Sequence, residues 1–268
     1  MKDLGSIVPG VTAWGNDRIN LISIDDFTVE LEALIRERFS EICWGPAALR
    51  SGSAAHNYKN TMRSMWRRIS TKSEATKIGM IGELLTHLFL VGEDRKFQSV
   101  NMLFNLEEAS IKKGFDLVVR ASANDEIYLV EVKSSAIARI NAESKAIAML
   151  NKGDADIFGK LNNPADNLWS NALHHCSSAL RKTDLRDKIE EILSHFQDEA
   201  FTAPSAAAHN VILAGVGFNA GKAFCEAVKL QTKIDGKANW NQYKSLEFFI
   251  AQKETFQATI DFIEKEAA

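Results

Sequence analysis

The chain has 268 residues, 46% hydrophobic and 25% charged, with a formal net charge of −3. This is globular composition for one large domain or two small ones. It excludes a global basic field as the sign of a nucleic-acid partner, though not a local basic patch. Cys43, Cys176 and Cys225 are scattered, odd in number and form no CxxC pair, which points to a reducing, cytoplasmic setting. The N-terminus has no signal-peptide core, and the most apolar stretch, IGMIGELLTHLFLVG, is 15 residues long and carries Glu83 and His87. A spanning helix needs roughly 20 apolar residues, so no membrane segment is expected.

In chain order, INLISID (19–25) reads as a strand and DDFTVELEALIRERFSEIC as an amphipathic helix with Asp25 or Asp26 as N-cap. Residues 44–57, with Gly, Pro and Ser, read as a loop. The following basic segment holds Lys59, Arg63, Arg67, Arg68, Lys72 and Lys77. It is either a solvated helix face or a phosphate-contacting patch with Trp66 available to stack on a base. Residues 74–91 form a helix with Ile81, Leu84, Leu85 and Leu88 on one face and a strip of small residues, Ala75, Gly79, Gly82 and Thr86, on the other. Glu83 borders that strip. Two helical glycines cost about 1 kcal/mol each relative to alanine, so a close neighbour is expected on that side too.

Three strand candidates follow, at 96–106, 114–121 and 126–134. Residues 135–165 read as helix and then loop, and 163–201 as a long helix or helical pair. NVILAGVGF (210–218) reads as a strand buried on both faces, and 244–265 as an amphipathic helix.

The last two strands of the trio carry charge where a sheet wants hydrophobes. Alternation puts Glu131 and Lys133 on one face of their strand. A hairpin turn centred on Ala123-Asn124 sets Asp116 opposite Glu131, and a shift of two sets it opposite Lys133. Directly opposed side chains have Cβ atoms roughly 4.5–5.5 Å apart, where like charges repel. A shared divalent cation would explain such an acid pair, and hard oxygen ligands suit Mg2+ or Mn2+. The competing explanation is that Asp116 caps a turn after Gly114, with Glu131 and Lys133 an exposed pair on an edge strand.

GFDLVV followed by YLVEVKSS resembles the D-(E)xK half-motif of the PD-(D/E)XK nuclease superfamily, and Glu83 in IGELL is similar to that superfamily's helical acid. Phe115 stands where the family's proline would be. The subfamily that GELLTHLFL, EEASIKKGFDLVV and YLVEVKSS resemble is the HamA-like nuclease subunit of Hachiman anti-phage defence systems. The resemblance implies an α/β (α+β) restriction-endonuclease-like core, helix–three antiparallel strands–helix–strand. It implies an N-terminal extension (1–73) and a nuclease domain (74–268). The metal ligands would be Asp116, Glu131, the Val132 carbonyl and Glu83, with Lys133 positioning the attacking water. Arg67, Arg68, Lys112, Lys113 and Ser134 are candidate DNA contacts, although lysines in a loop and serines at a strand end are equally ordinary solvated residues. DNA is the expected substrate, a helicase-like ATPase the expected partner, and no small-molecule cofactor is expected.

Two alternatives stand beside this reading. Gly215, Gly217 and Ala220 fit G-x-G-x-x-A, with Asp235 twenty residues after Gly215, as in a dinucleotide-binding turn. A nuclease fold kept only for binding DNA or a partner is the other. Adjacent His174 and His175 diverge on a helix and have no second cluster to complete a metal site.

Overall fold

The computed structural model describes residues 1–49, 52–92, 95–104, 114–136, 141–165, 167–218, 225–237, 240–252 and 255–268. β1 (Lys2–Val8), β2 (Val11–Gly15) and β3 (Ile19–Ile24) form an antiparallel meander. Helices α1 (Val29–Trp44), α2 (Pro46–Leu49), α3 (Tyr58–Ile69) and α4 (Glu74–Leu90) follow. Then come β4 (Phe97–Ser99), β5 (Leu117–Ala121) and β6 (Ile127–Ala136), paired antiparallel in turn. The chain continues through α5 (Ala142–Asn162), α6 (Leu168–Ala179), α7 (Asp184–Thr202), β7 (Asn210–Phe218), α8 (Ala227–Asp235), β8 (Ser245–Gln252) and α9 (Thr255–Ala267).

All eight strands form one mixed sheet in the order β1-β2-β3-β8-β7-β6-β5-β4. The centre, β3-β8-β7-β6, is parallel. A parallel centre must be covered on both faces, and it is. One apolar core joins the sheet to α1, α3, α4 and α9, and a second joins it to α5, α6, α7 and α8. The alternation of β6 sorts its residues between them: Tyr128, Val130 and Val132 enter the first core, Ile127 and Leu129 the second. Every residue of β7 is buried, as its unbroken apolar run requires.

Several local expectations are corrected. Residues 244–265 are not one helix but β8 followed by α9. A short apolar run such as Phe248–Ala251 fits a buried strand or a buried helix equally well, and only its parallel partners β7 and β3 decide. The strand expected over 96–106 shrinks to Phe97–Ser99 among the described residues. Beyond it the backbone leaves β5, and Leu103 N and Phe104 N donate to the carbonyls of Ile42 and Cys43 at the end of α1. The helix between β6 and β7 begins at Ala142 and runs through most of the stretch expected as loop. The N-cap of α1 is Thr28, which accepts from Leu31 N, rather than Asp25 or Asp26. Residues 44–57 contain α2 and a 3-10 turn, and 163–201 is a helical pair. β1 and β2 had no sequence counterpart.

The two glycines of α4 prove unlike. A Cβ on Gly82 would stand 1.7 Å from Ser134 Oγ and 2.8 Å from Ser134 Cβ, whereas one on Gly79 would meet nothing within 4 Å. Gly82 therefore lets α4 seat on β6, and Gly79 contributes no such contact. Gly79→Ala should stabilise the protein by up to about 1 kcal/mol through helix propensity. Gly82→Ala should destabilise it by about 1–3 kcal/mol through overpacking. Denaturant unfolding of the two variants checks the opposite signs.

Candidate active site

The site is built where β6 outlasts β5. The described pairs run from Arg120 with Ile127 to Leu117 with Val130, so Asp116 falls opposite Glu131. β5 stops there, while β6 continues to Ala136 with β7 on its other side. The next inward-pointing donor of β6, Val132 N, is taken by the side chain of Asp116, whose Oδ2 accepts it at 2.7 Å. Phe115 anchors the preceding turn in the second core, its ring 5.0 Å from that of Trp169.

Glu131 and Lys133 point into the α5 side of the sheet. Glu131 is 1% exposed. It does not lie on an edge, because β6 is flanked by β5 and β7. The reading of an exposed surface pair is thereby excluded. Lys133 Nζ bonds Glu131 Oε1 at 2.7 Å and Asp156 Oδ2 at 2.8 Å. Lys160 Nζ bonds Glu131 Oε2 at 2.6 Å and the Gly114 carbonyl at 3.1 Å. Asp116, Glu131 and Lys133 are thus joined by two α5 residues, Asp156 and Lys160, that the sequence reading overlooked. Gly153, Asp156 and Lys160 are spaced by three and four residues, so they share the helix face turned to β6. A Cβ on Gly153 would stand 3.6 Å from Lys133 Cγ and 3.7 Å from Glu131 Cγ, ordinary contact distances. Asp154, the other aspartate of this turn, bonds Tyr243 and Gln242 instead. The signal available beforehand was a glycine, an aspartate and a lysine at helical spacing. It was hidden because the later part of 135–165 reads as loop, whereas α5 runs to Asn162.

Charge and burial perturb the site. Burial and the neighbouring Glu131 charge raise the Asp116 carboxyl to about 6, with Lys160, the Val132 N–H and Lys133 pulling the other way. Burial works to lower the Lys133 ammonium, but Glu131 and Asp156 outweigh it and hold it above the ordinary lysine range. Lys133 is consequently a charged donor at neutral pH, suited to orienting water or meeting developing negative charge rather than to removing a proton.

The remaining candidates lie elsewhere. Glu83 is half-buried on α4, which packs on the opposite face of the sheet from Glu131 and Lys133. Ser134 Oγ is buried beneath the same helix against Gly82, out of reach of a phosphate in this conformation. Arg67 is exposed on α3 and lines a cleft of about 590 Å3 with Trp44, Arg63 and Trp66. Arg68 lies 4.2 Å over the Phe104 ring and donates to Ser64 Oγ, so packing holds it. Lys112 and Lys113 lie outside the described residues. Gly215 and Gly217 sit inside β7, paired with Lys133 and Ser135 on one side and Ile250 and Gln252 on the other. A dinucleotide fingerprint needs its glycines in the turn after the strand, so the geometry provides no such turn at these two residues. Ala220 lies outside the described residues, and Asp235 ends α8 rather than a second strand.

A divalent ion is compatible with this donor set. Asp116 and Glu131 stand opposite each other, burial and the Glu131 charge raise the Asp116 carboxyl, and the chain sets two ammonium groups against Glu131. Among the described residues no three His, Cys, Asp or Glu are grouped to hold a metal. The protein ligands would be Asp116 and Glu131, with the Val132 carbonyl beside them. Mg2+ suits so sparse a set because it keeps several waters. Among the described residues, no helix is long and apolar enough to cross a membrane.

The HamA family model matches residues 14–267, from β2 to the end of α9. No curated protein matches the chain.

The raised pKa of Asp116 sets a stability test. The folded state holds this proton more tightly than the unfolded chain, so the stabilisation is full below about pH 4 and lost as pH rises through about 6. Asp116→Asn keeps an acceptor for Val132 N–H without the charge. It should raise the melting temperature at pH 7.5 by on the order of 2–4 °C. The advantage should shrink towards zero at pH 4, as read by calorimetry across that range.

Proposed function

The chain belongs to the HamA family, and on that premise we propose that it is a metal-dependent DNA nuclease, the effector subunit of a Hachiman-type anti-phage defence system in the cytoplasm. The observation that carries the proposal is the convergence of Asp116, Glu131 and Lys133 at the end of the β5–β6 pair. A bound Mg2+ or Mn2+ would supply Lewis-acid polarisation of the phosphodiester and a more acidic water. Asp116, just before β5, and Glu131 on β6 would hold it. Lys133, charged at neutral pH, orients the attacking water and meets the charge that builds on the phosphate during in-line displacement. Asp156 steadies Lys133 from α5. Glu83 stands on α4, on the opposite face of the sheet, and is given no role at the metal in this arrangement.

Among the described residues no base-reading element stands out, and cutting is proposed to be independent of sequence. The exposed Arg67, with Arg63 and Trp66 on the other layer of the molecule, offers a sequence-tolerant contact to a phosphate backbone. A helicase-like ATPase is the proposed partner, and its supply of unwound DNA would bring substrate to the site.

Supercoiled plasmid and short single- and double-stranded DNA, incubated with the purified chain in Mg2+, in Mn2+ and in chelator, test this. Cleavage should require the metal and fall by at least about 100-fold in both Glu131→Ala and Lys133→Ala, with folding confirmed by circular dichroism. Full activity in both variants would refute the assignment. DNA retention without cutting in any divalent ion would favour a binding module on the same fold.

A further inference from the structure

Glu131 is almost sealed from solvent, and both its carboxylate oxygens are already occupied by ammonium groups of the chain, Oε1 by Lys133 and Oε2 by Lys160. Each oxygen keeps a second lone pair, but in so closed a site a divalent ion reaching this carboxylate meets two ammonium charges at contact distance, which favours the release of one of them. The two are held unequally. Lys133 has a second carboxylate, Asp156, at 2.8 Å, whereas the second partner of Lys160 is the neutral carbonyl of Gly114 at 3.1 Å. An ammonium–carboxylate pair adds an attraction between two full charges that an ammonium–carbonyl bond lacks, so Lys160 costs less to release. It also has the easier way out. Its side chain is 30% exposed against 20% for Lys133, and it hangs from the last turns of α5 rather than from the buried strand itself. Its ammonium also bridges the two segments that carry the acids, since Gly114 lies two residues before Asp116.

We propose that Lys160 is the resident counter-cation of Glu131, exchanged for the divalent ion when the site loads. This rests on the metal-dependent reading above. In the metal-free protein Lys160 neutralises a buried carboxylate that would otherwise keep only one partner. The same contact raises the metal concentration needed to fill the site, because the ion competes with it for Glu131. Lys133 keeps Asp156 throughout and stays in place for the phosphate. Lys160 is in this sense a positioning residue, acting through Glu131.

Thermal unfolding of the full chain, titrated with MnCl2 alone and with MgCl2 alone, tests the exchange without any measurement of cutting. Without metal, Lys160→Met should melt lower than the wild type, since buried Glu131 loses a partner. Its metal-induced rise should nevertheless reach half its maximum at about tenfold lower metal concentration. Lys160→Gln, which keeps a donor and removes the charge, should move the midpoint in the same direction and serves if the methionine variant does not fold. Lys152→Met, exposed on the same helix, should leave the midpoint unchanged. Glu131→Gln should abolish the rise. An unchanged or higher midpoint in both Lys160 variants, with a normal wild-type response, overturns the exchange alone. Absence of any metal response in the wild type overturns the metal reading and the exchange with it.

Discussion

A carboxylate buried between a sheet and a helix constrains this molecule more than any other single contact. Taking Glu131 out of water costs several kcal/mol unless its charge is matched nearby, and the penalty falls on whatever fails to supply the match. Two lysines from two different elements supply it. α5 therefore has to cross β6 at one height and in one rotation, with Gly153 against the strand and Asp156 and Lys160 beside it. The cluster is a chain of alternating charge, Asp156–Lys133–Glu131–Lys160, with Asp116 at its side. Without Lys160, Glu131 keeps only Lys133, and without Glu131, Lys160 keeps only the neutral Gly114 carbonyl.

The fold makes room for that cluster by ending one strand early. β5 stops opposite Val130, and the carboxylate of Asp116 replaces the missing strand at Val132 N. On the far side of the sheet, α4 is drawn close by Gly82 and clamps β6 through Ser134. The strand that carries Glu131 and Lys133 is thus gripped from both faces and paired through β7 to the centre of the sheet. The first three strands extend the same sheet through the parallel β3–β8 pair, so the sheet is continuous from residue 2 to residue 252. Rigid support of this kind holds the charged groups of β6 in one geometry.

The proposed reading draws on both HamA membership and the geometry of the site, which describe different features of the chain. The family match concerns the pattern of the whole chain. The site concerns five side chains and three distances between ammonium and carboxylate. The charge state of Lys133 bears on the proposed chemistry, since a lysine held above its ordinary range between two carboxylates is an electrostatic group before it is a base.

The sequence by itself determined the strands with strong period-2 or wholly apolar patterns, β6 and β7, the long amphipathic α4, and the facing of Asp116 and Glu131 once the turn at Ala123-Asn124 was assumed. These are local properties, written in side-chain alternation and turn chemistry. The tertiary structure alone decided three things. β8 is a strand because β7 and β3 flank it, although its apolar run fits a buried helix as well. The difference between Gly79 and Gly82 depends on Ser134, more than forty residues away. The partners of Glu131 are set by where α5 lands, and no spacing within the strand reveals that a lysine twenty-nine residues onward will close on its second oxygen. In each case the deciding term is an interaction between segments distant in the chain, whose energy no local pattern records.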